Sequence, residues 1–283
     1  MALESIINPS KAAQHPSRMF FVGFLYASIA LFLATWIFRS SPSMIMVFLT
    51  VIASIPFMYK SIKREEKVDV ELKNEGAILK EHAHVIKYLL ALFMGYVLAY
   101  SLWFIVLPGA MVQNLFSSQL HTIDAINNQI SGAAISGGGI FLQIFFNNFK
   151  VMLFCLFFSF FYGAGAIFIL TWNASVIGAA IGTFVKGKLA EVALAAGATN
   201  IFHYFQFLSL GLFRYALHGI PEIAAYFIAG LAGGIISVAM INRDLEGIKF
   251  RGILKDALDL SLISVAILII AAFIEVYLTP LFF

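Results

Sequence analysis

Three ionisable residues recur at helical spacing in an otherwise apolar part of the chain. Arg214, His218 and Glu222 lie four residues apart, and side chains at that spacing share one face of an α-helix. A charge in an apolar environment is costly unless it is paired or hydrated, so Glu222 needs Arg214 or His218 as a partner. The pattern predicts either a polar cavity or relay for protons or ions, or an ion pair that fixes how two helices meet.

The helix that carries these residues is predicted to break within the triplet. Gly219 is a common helix terminator, and Pro221 is favoured at a first helical position, so residues 218–220 are predicted to form the break. Glu222 would then lie in the first turn of the next helix, where the helix dipole favours a carboxylate.

Metal and catalytic sites are not predicted. Zinc takes three or four protein ligands in a fixed geometry, whereas His203, His218 and Glu222 are the only candidates in this part of the sequence, and the break separates two of them. The motifs His-Glu-x-x-His and Gly-x-Ser-x-Gly and the Walker sequence do not occur. We therefore expect no enzyme activity and no cofactor.

A second polar group, Asn147-Asn148-Phe149-Lys150, opens an apolar stretch. Because an Asn side chain accepts hydrogen bonds from first-turn amides, Asn147 is predicted to be an N-cap. Asn148 is then free to face the interior of the bundle, and Lys150 either joins it or extends to the outer interface. The predicted intramembrane polar cluster comprises Arg214, His218, Glu222, Asn147 and Asn148, with Asn173, His203 and Lys150 as secondary candidates.

The amino-acid composition indicates whether these residues lie in water or in a membrane. Apolar residues make up 61% of the 283 residues and charged residues 12%, against about 25% charged residues in a typical soluble domain. This excludes a soluble fold and a disordered chain, and it predicts an all-α, multi-pass membrane protein. A net charge of +3 is too small to indicate a nucleic-acid partner. The bilayer is the expected partner, and a homo-oligomer or a second membrane protein remains open.

Apolar stretches of about 20 residues mark candidate membrane helices. They lie at 19–38, 44–59, 88–107, 147–170, 174–190, 200–217, 221–242 and 257–278. Thr171-Trp172-Asn173 is the predicted turn between the fourth and fifth stretches. We expect a single membrane domain over 1–283: three helices in 19–107, an external segment at 108–146, a core at 147–242 and a final helix in 243–283.

Basic residues orient the bundle, because cytoplasmic loops of membrane proteins are rich in Lys and Arg. The segments 60–87 and 243–255 are basic, whereas 108–149 contains neither Lys nor Arg. The first two are therefore predicted to be cytoplasmic, together with the N-terminus, and the third external. Eight crossings would put 243–255 on the wrong side. We therefore expect seven crossings, one re-entrant or broken segment (174–190 or 200–217) and an external C-terminus.

The two long segments between the apolar stretches, 60–87 and 108–146, differ in their polar residues. Residues 60–87 mix acidic and basic side chains and are predicted to extend the neighbouring helices as a solvated hairpin, with a partner-docking arm as the alternative. Residues 113–130 are predicted to form an amphipathic helix at the outer interface, followed by a glycine-rich loop at 136–139.

Small residues at helical spacing predict close contact between helices of the same chain, with a dimer interface as the alternative. The main examples are Gly163-x-Gly165, Gly178-x3-Gly182, Ala225-x3-Ala229 and Gly230-x2-Gly233-Gly234. Cys155 lies among apolar residues and is interpreted as an inert packing residue.

Taken in order, these motifs resemble the stage II sporulation protein M family. The resemblance rests on Asn147-Asn148, Gly163-Ala164-Gly165, Asn173, His218-Gly219-x-x-Glu222 and Ala229-Gly230-x-Ala232-Gly233, and it covers about residues 140–242. Ala174 follows Asn173, and Pro221 precedes Glu222, where the family pattern differs. The resemblance implies an integral membrane protein whose sporulation relatives act with partners in membrane migration and wall remodelling. It also implies that His218, Glu222, Asn147 and Asn148 are the family's polar positions.

Overall fold

The computed structural model describes residues 16–71, 75–131, 137–159, 164–241 and 247–282. Within these ranges the chain is helical and contains no strand, which confirms the predicted all-α class. The helices are α1 Pro16–Ile37, α2 Pro42–Glu71, α3 Glu75–Val106, α4 Gly109–Leu115, α5 Ser117–Ser131, α6 Gly137–Phe158, α7 Ala164–Ala196, α8 Ile201–Ile241 and α9 Gly247–Phe273. A π-helical turn, Ile274–Leu278, and a 3-10 turn, Thr279–Leu281, follow α9.

Seven of the described helices are long and apolar enough to cross a membrane: α1, α2, α3, α6, α7, α8 and α9. The number seven agrees with the prediction, but the reason is different. The stretches 200–217 and 221–242 form one helix, α8, so the predicted break at 218–220 is wrong. Within a bilayer the backbone must satisfy its hydrogen bonds internally, and Pro221 removes one amide donor, whereas a break would expose several groups.

Because α8 is one continuous helix, the eight apolar stretches form seven candidate spans. Seven alternating crossings bring 243–255 to the same side as 60–87, and neither 174–190 nor 200–217 has to be re-entrant. Residues 243–246 lie outside the described ranges.

Two predicted turns are also helical. Thr171-Trp172-Asn173 lies inside α7, because α6 ends at Phe158 and α7 begins at Ala164. Thr171 is fully buried in the bundle, which a turn between two spans would not require. Residues 137–139, predicted as part of a loop, form the first turn of α6; residue 136 and Gly163 lie outside the described residues.

The predicted hairpin at 60–87 is confirmed as helical extensions of its neighbours. Helix α2 continues to Glu71 and α3 begins at Glu75, while 72–74 fall outside the described part of the chain. The external segment contains two helices: α5 agrees with the prediction for 113–130, and the short α4 precedes it.

Glycines set the closest helix contacts. A Cβ on Gly178 would lie 2.6 Å from Cβ of Tyr100, and one on Gly182 would overlap the ring of Phe104, so α7 packs directly on α3. A Cβ on Gly233 would likewise meet the backbone of Leu156. The small residues therefore serve packing within the chain, as predicted.

Hydroxyl groups join α2 to α3 inside the bundle. Ser54 Oγ and Tyr96 Oη are 2.6 Å apart, and Thr50 Oγ1 and Tyr100 Oη are 2.9 Å apart. All four residues are almost completely buried, and in an apolar interior such bonds satisfy groups that would otherwise be unpaired. These pairs run in opposite directions along the two helices, which are therefore antiparallel.

Helix α8 is the most enclosed of the seven candidate spans. Of the most apolar 18-residue stretch of α8, 72% is buried inside the bundle. The corresponding share is 33% for α1 and α9 and 17% for α6. The helices with low burial present apolar side chains on the outside of the bundle, including Phe21, Trp36, Phe154, Phe157, Leu262 and Ile270. In a membrane protein this outer surface contacts lipid, and α8 is the element on which a protected polar site is best supported.

Candidate functional site

The three ionisable residues of the predicted cluster lie on successive turns of the continuous helix α8. Because α8 does not break at 218–220, Arg214, His218 and Glu222 follow one face at i, i+4 and i+8. All three side chains are partly buried. They therefore form a polar stripe along the most enclosed helix of the bundle.

Glu222 is held by a short hydrogen bond from the same helix. The phenolic O–H of Tyr226, one turn further on, donates to Glu222 Oε1 at 2.7 Å. Tyr226 has no exposed surface, so its O–H reaches the carboxyl group in an environment without water. Sequence reasoning missed Tyr226, although its i,i+4 spacing from Glu222 continues the pattern that identified the triplet.

A second carboxylate joins the cluster from the end of the chain. Glu275 lies in the π-helical turn that follows α9, four residues before Thr279, whose hydroxyl group contacts His218 on α8. Helix α9 also packs on α8, where Ser264 Oγ donates to the carbonyl of Ala225 at 2.7 Å, so the two helices are antiparallel. Glu275 was missed by sequence reasoning, and its signal was an acid near the end of the last apolar stretch, 257–278.

The C-terminal turns contact His218 as well. Thr279 Oγ1 lies 3.4 Å from His218 Nδ1 and donates to the carbonyl of Ile274 at 3.1 Å. Thr279 is buried. The segment 274–281 therefore covers the stripe on α8 with one carboxylate and one hydroxyl group.

Arg214 occupies the end of the stripe that lies nearest the N-terminus of α8. Its guanidinium carbon is 5.6 Å from the centroid of the Phe184 ring on α7, a distance at which a cation and an aromatic face attract each other. The charge of Arg214 also acts on His218 and on Tyr215, and Glu275 acts on the same tyrosine. Arg214 thus places positive charge on the same face of α8 as Glu222, about two helical turns away.

The asparagine pair lies on α6. Asn147 Nδ2 donates to Asn148 Oδ1 at 3.4 Å, and Asn148 is 8% exposed whereas Asn147 and Lys150 are exposed. The predicted N-cap at Asn147 is wrong, because α6 begins ten residues earlier at Gly137. Helix α6 packs against α8, α9 and the π-helical turn, but no direct hydrogen bond joins Asn147 or Asn148 to Glu222 in the described residues. A shared site stays a prediction.

The secondary candidates Asn173 and His203 have local structural roles. Asn173 Nδ2 donates to the carbonyl of Ile169 within α7 at 2.8 Å. At the start of α8, the amide of His203 donates to Asn200 Oδ1, and the amide of Asn200 donates to His203 Nδ1, each at 3.2 Å. This reciprocal arrangement satisfies two amides that a helix start leaves open.

A separate buried polar chain was not predicted. Ser43 Oγ donates to Gln119 Oε1 at 2.8 Å, and Gln119 Nε2 donates to Ser175 Oγ at 3.0 Å. Gln119 is fully buried, as is its neighbour Phe116, whose ring packs edge-on against Tyr100 and Phe104. These contacts anchor α4 and α5 between α2, α3 and α7.

The chemistry open to the cluster is the binding and movement of a positive charge. One guanidinium, one imidazole and one carboxyl group follow one face of α8, the phenol of Tyr226 is bonded to Glu222, and Glu275 lies in the turn after α9. Within the described ranges, no group of three or more His, Cys, Asp and Glu side chains is arranged to hold a metal ion. Cys155 is buried on α6, in agreement with its interpretation as a packing residue.

Comparisons with known proteins cover this part of the molecule. The family model described as stage II sporulation protein M matches residues 84–280, which contain the whole stripe on α8, the asparagine pair and Glu275. An uncharacterized protein of Methanocaldococcus jannaschii is 43% identical over 67 residues, which are 22% of this chain and 37% of that protein. The chain therefore spans little more than a third of that relative. No solved structure matches the chain.

Proposed function

Because this chain belongs to the stage II sporulation protein M family, we propose a function for the helices that the family match covers: transport of a small ion or solute across the membrane, with the polar cluster on its route. One observation carries the proposal. Arg214, His218 and Glu222 follow one face of α8 inside a candidate span, where charges are costly and commonly mark ion or substrate pathways.

The composition of the cluster supports transport over a purely structural ion pair. Fixing two helices needs one acid and one base, and replacing such a pair by apolar residues is often neutral or stabilising. Glu275 adds a second acid in the turn after α9, which contacts α8 through Thr279 and His218, and a structural pair does not require this second acid.

Transport would require the helices to move. The apolar cavity between α3, α7 and α8 has a volume of about 20 Å³ and is lined by residues such as Val97, Ile181, Tyr215 and Gly219. This is room for about one water molecule, so passage of a solute through this region would require it to widen. The π-helical turn and the 3-10 turn at 274–281 are the short elements that cover the cluster, and their displacement would open it.

Transport is tested by measuring the flux of ions and small solutes into proteoliposomes that contain the purified protein. Purified wild-type protein should pass at least one member of a panel of protons, alkali cations and small solutes, and Glu222→Gln should reduce that flux at least tenfold. The matched control is Glu191→Gln on the same bundle, because Glu191 is exposed and pairs with Lys188 at 2.8 Å. A wild-type protein that passes nothing more than empty vesicles would contradict the proposal.

A second candidate function is a non-enzymatic membrane scaffold or membrane-remodelling protein that acts through partners or as a homo-oligomer. Family membership favours it, since the family takes its name from a sporulation protein. The anchored external helices α4 and α5 would present the partner surface. This candidate predicts that flux is absent and that Glu222→Gln loses stability, so the same variant separates the two functions.

A further inference from the structure

A cleft lies on the outside of the bundle where α1 turns into α2. Its volume is about 510 Å³, and it is lined by Phe32, Thr35, Trp36, Arg39 and Asn114. Helix α1 supplies the first three of these side chains, the turn supplies Arg39, and α4 supplies Asn114. The cleft is therefore formed by elements other than α8, which carries the polar stripe.

This cleft lies at the depth of lipid headgroups. Helix α1 spans 22 described residues, so at 1.5 Å per residue it is about 33 Å long, close to the hydrocarbon thickness of about 30 Å in a typical bilayer. Trp36 lies in the last turn of α1, and Arg39 follows the end of the helix by two residues. Tryptophan is enriched at the membrane interface because its ring is apolar and its N–H is polar. Arg39 is therefore level with the phosphate groups of the adjacent leaflet.

An apolar row on α1 leads from the cleft into the hydrocarbon region. Its members recur every three or four residues, share one face of the helix and are between 45% and 72% exposed: Phe21, Leu25, Ile29, Phe32 and Trp36. The ring of Phe32 is fixed in this row, because it packs edge-on against Trp103 with the centroids 4.6 Å apart. The row is part of the outer surface that contacts lipid, and it offers one hydrocarbon chain a path to the cleft.

The backbone of Arg39 is held in place, whereas its side chain is available. Asn114 Nδ2 donates to the carbonyl of Arg39 at 3.0 Å, which joins the turn to α4. The Arg39 side chain is exposed, and among the described residues no carboxylate pairs with its guanidinium group. A guanidinium group can bind two oxygens of one phosphate group at once. The cleft thus combines an anion-binding group with an apolar wall.

We propose that this cleft binds one anionic phospholipid. The phosphate group lies on the guanidinium group of Arg39, the ring of Trp36 lies beside the glycerol backbone, and one hydrocarbon chain follows the exposed row of α1. The charges favour an anionic headgroup over a zwitterionic one, because a headgroup ammonium would meet Arg39 and no carboxylate among the lining residues. This binding does not depend on the proposed transport.

Quenching of tryptophan fluorescence in lipid nanodiscs tests the site. The nanodiscs consist of phosphatidylcholine with a minor share of a lipid that carries brominated chains, either phosphatidylglycerol or phosphatidylcholine. The Trp36 signal is the difference between the wild type and Trp36→Phe. Brominated phosphatidylglycerol should occupy the site about fivefold more than brominated phosphatidylcholine, which corresponds to about 1 kcal/mol for one basic residue at an anionic surface. Arg39→Gln should make the two lipids quench equally.

Lys188→Gln is the matched control, because Lys188 is an exposed cation that pairs with Glu191 on α7 at 2.8 Å, and it should keep the wild-type preference. Equal quenching by the two lipids in the wild-type protein would overturn the proposal without any variant, and so would a preference that survives Arg39→Gln. Inorganic phosphate separates a lipid site from a site for free phosphate. The preference should be the same in phosphate and in chloride of equal ionic strength, and its loss in phosphate alone would also overturn the proposal.

Discussion

At the scale of single residues, the hydrogen bond from Tyr226 to Glu222 is the best-defined interaction of the site. A fully buried phenol has no water with which to replace a lost partner, and leaving a buried acceptor unsatisfied costs about 1–3 kcal/mol. Glu222 therefore depends on Tyr226 for its orientation as well as for part of its stabilisation.

Tyr226→Phe should lower the free energy of unfolding by about 1–3 kcal/mol without creating a cavity, because only the hydroxyl group is removed. Thermal unfolding in detergent measures this change. Tyr277→Phe is the control, since Tyr277 is 42% exposed on the π-helical turn, and it should unfold like the wild type. Equal stability of both variants would show that the bond to Glu222 contributes nothing.

Spacing along one helix could be predicted from residues, whereas contacts between elements could not. The i,i+4 pattern identified Arg214, His218 and Glu222, and the structure places them on one face of α8. Thr279 reaches His218 only through the antiparallel packing of α8 on α9, which no local pattern encodes. Whether Asn147 and Asn148 belong to the same site stays a prediction, because their mutual bond does not extend to Glu222.

At the scale of elements, hydropathy predicted where helices exist better than where they end. Apolar length gave eight stretches, and the distribution of basic residues reduced the expected crossings to seven, which is the number of candidate spans among the described residues. The errors arose at Gly219, Pro221 and 171–173, where residue preferences measured in water were applied to helices in a membrane. There the absence of competing water favours continued backbone hydrogen bonding over a break.

Close contact between α3 and α7 depends on the absence of a side chain at Gly178. Gly178→Leu should abolish a monodisperse folded protein, because its Cβ alone would lie 2.6 Å from Tyr100 Cβ and overpacking already costs about 1–3 kcal/mol for smaller insertions. Gly187→Leu, on the same helix with nothing within 4 Å of a Cβ, should behave like the wild type. Size-exclusion chromatography measures whether each variant is monodisperse. A monodisperse, folded Gly178→Leu protein would contradict the close contact between α3 and α7.

At the scale of the whole molecule, seven alternating crossings account for the distribution of basic residues without a re-entrant segment. The antiparallel pairs α2 with α3 and α8 with α9 fit this alternation. The predicted orientation has 60–87 and 243–255 in the cytoplasm and α4, α5 and the C-terminus outside.

Single cysteines in a Cys155→Ala background test the orientation. Lys63→Cys on α2 and His121→Cys on α5 are both exposed positions. A membrane-impermeant maleimide added to intact cells should label the cysteine at 121 and leave that at 63 unlabelled until the cells are opened. Labelling of both positions from outside, or of 63 alone, would refute the topology.

The central claim is that the carboxyl group of Glu222 serves transport and does not serve mainly to hold α8 in place. The unfolding temperature of Glu222→Gln, measured beside its flux in proteoliposomes, tests this claim most directly. Gln keeps the shape of the side chain and an acceptor for Tyr226, so the account predicts nearly wild-type unfolding together with a large loss of flux. Breaking a buried structural ion pair costs about 3–5 kcal/mol. A Glu222→Gln protein destabilised to that extent, from a wild type that transports nothing, would contradict the account.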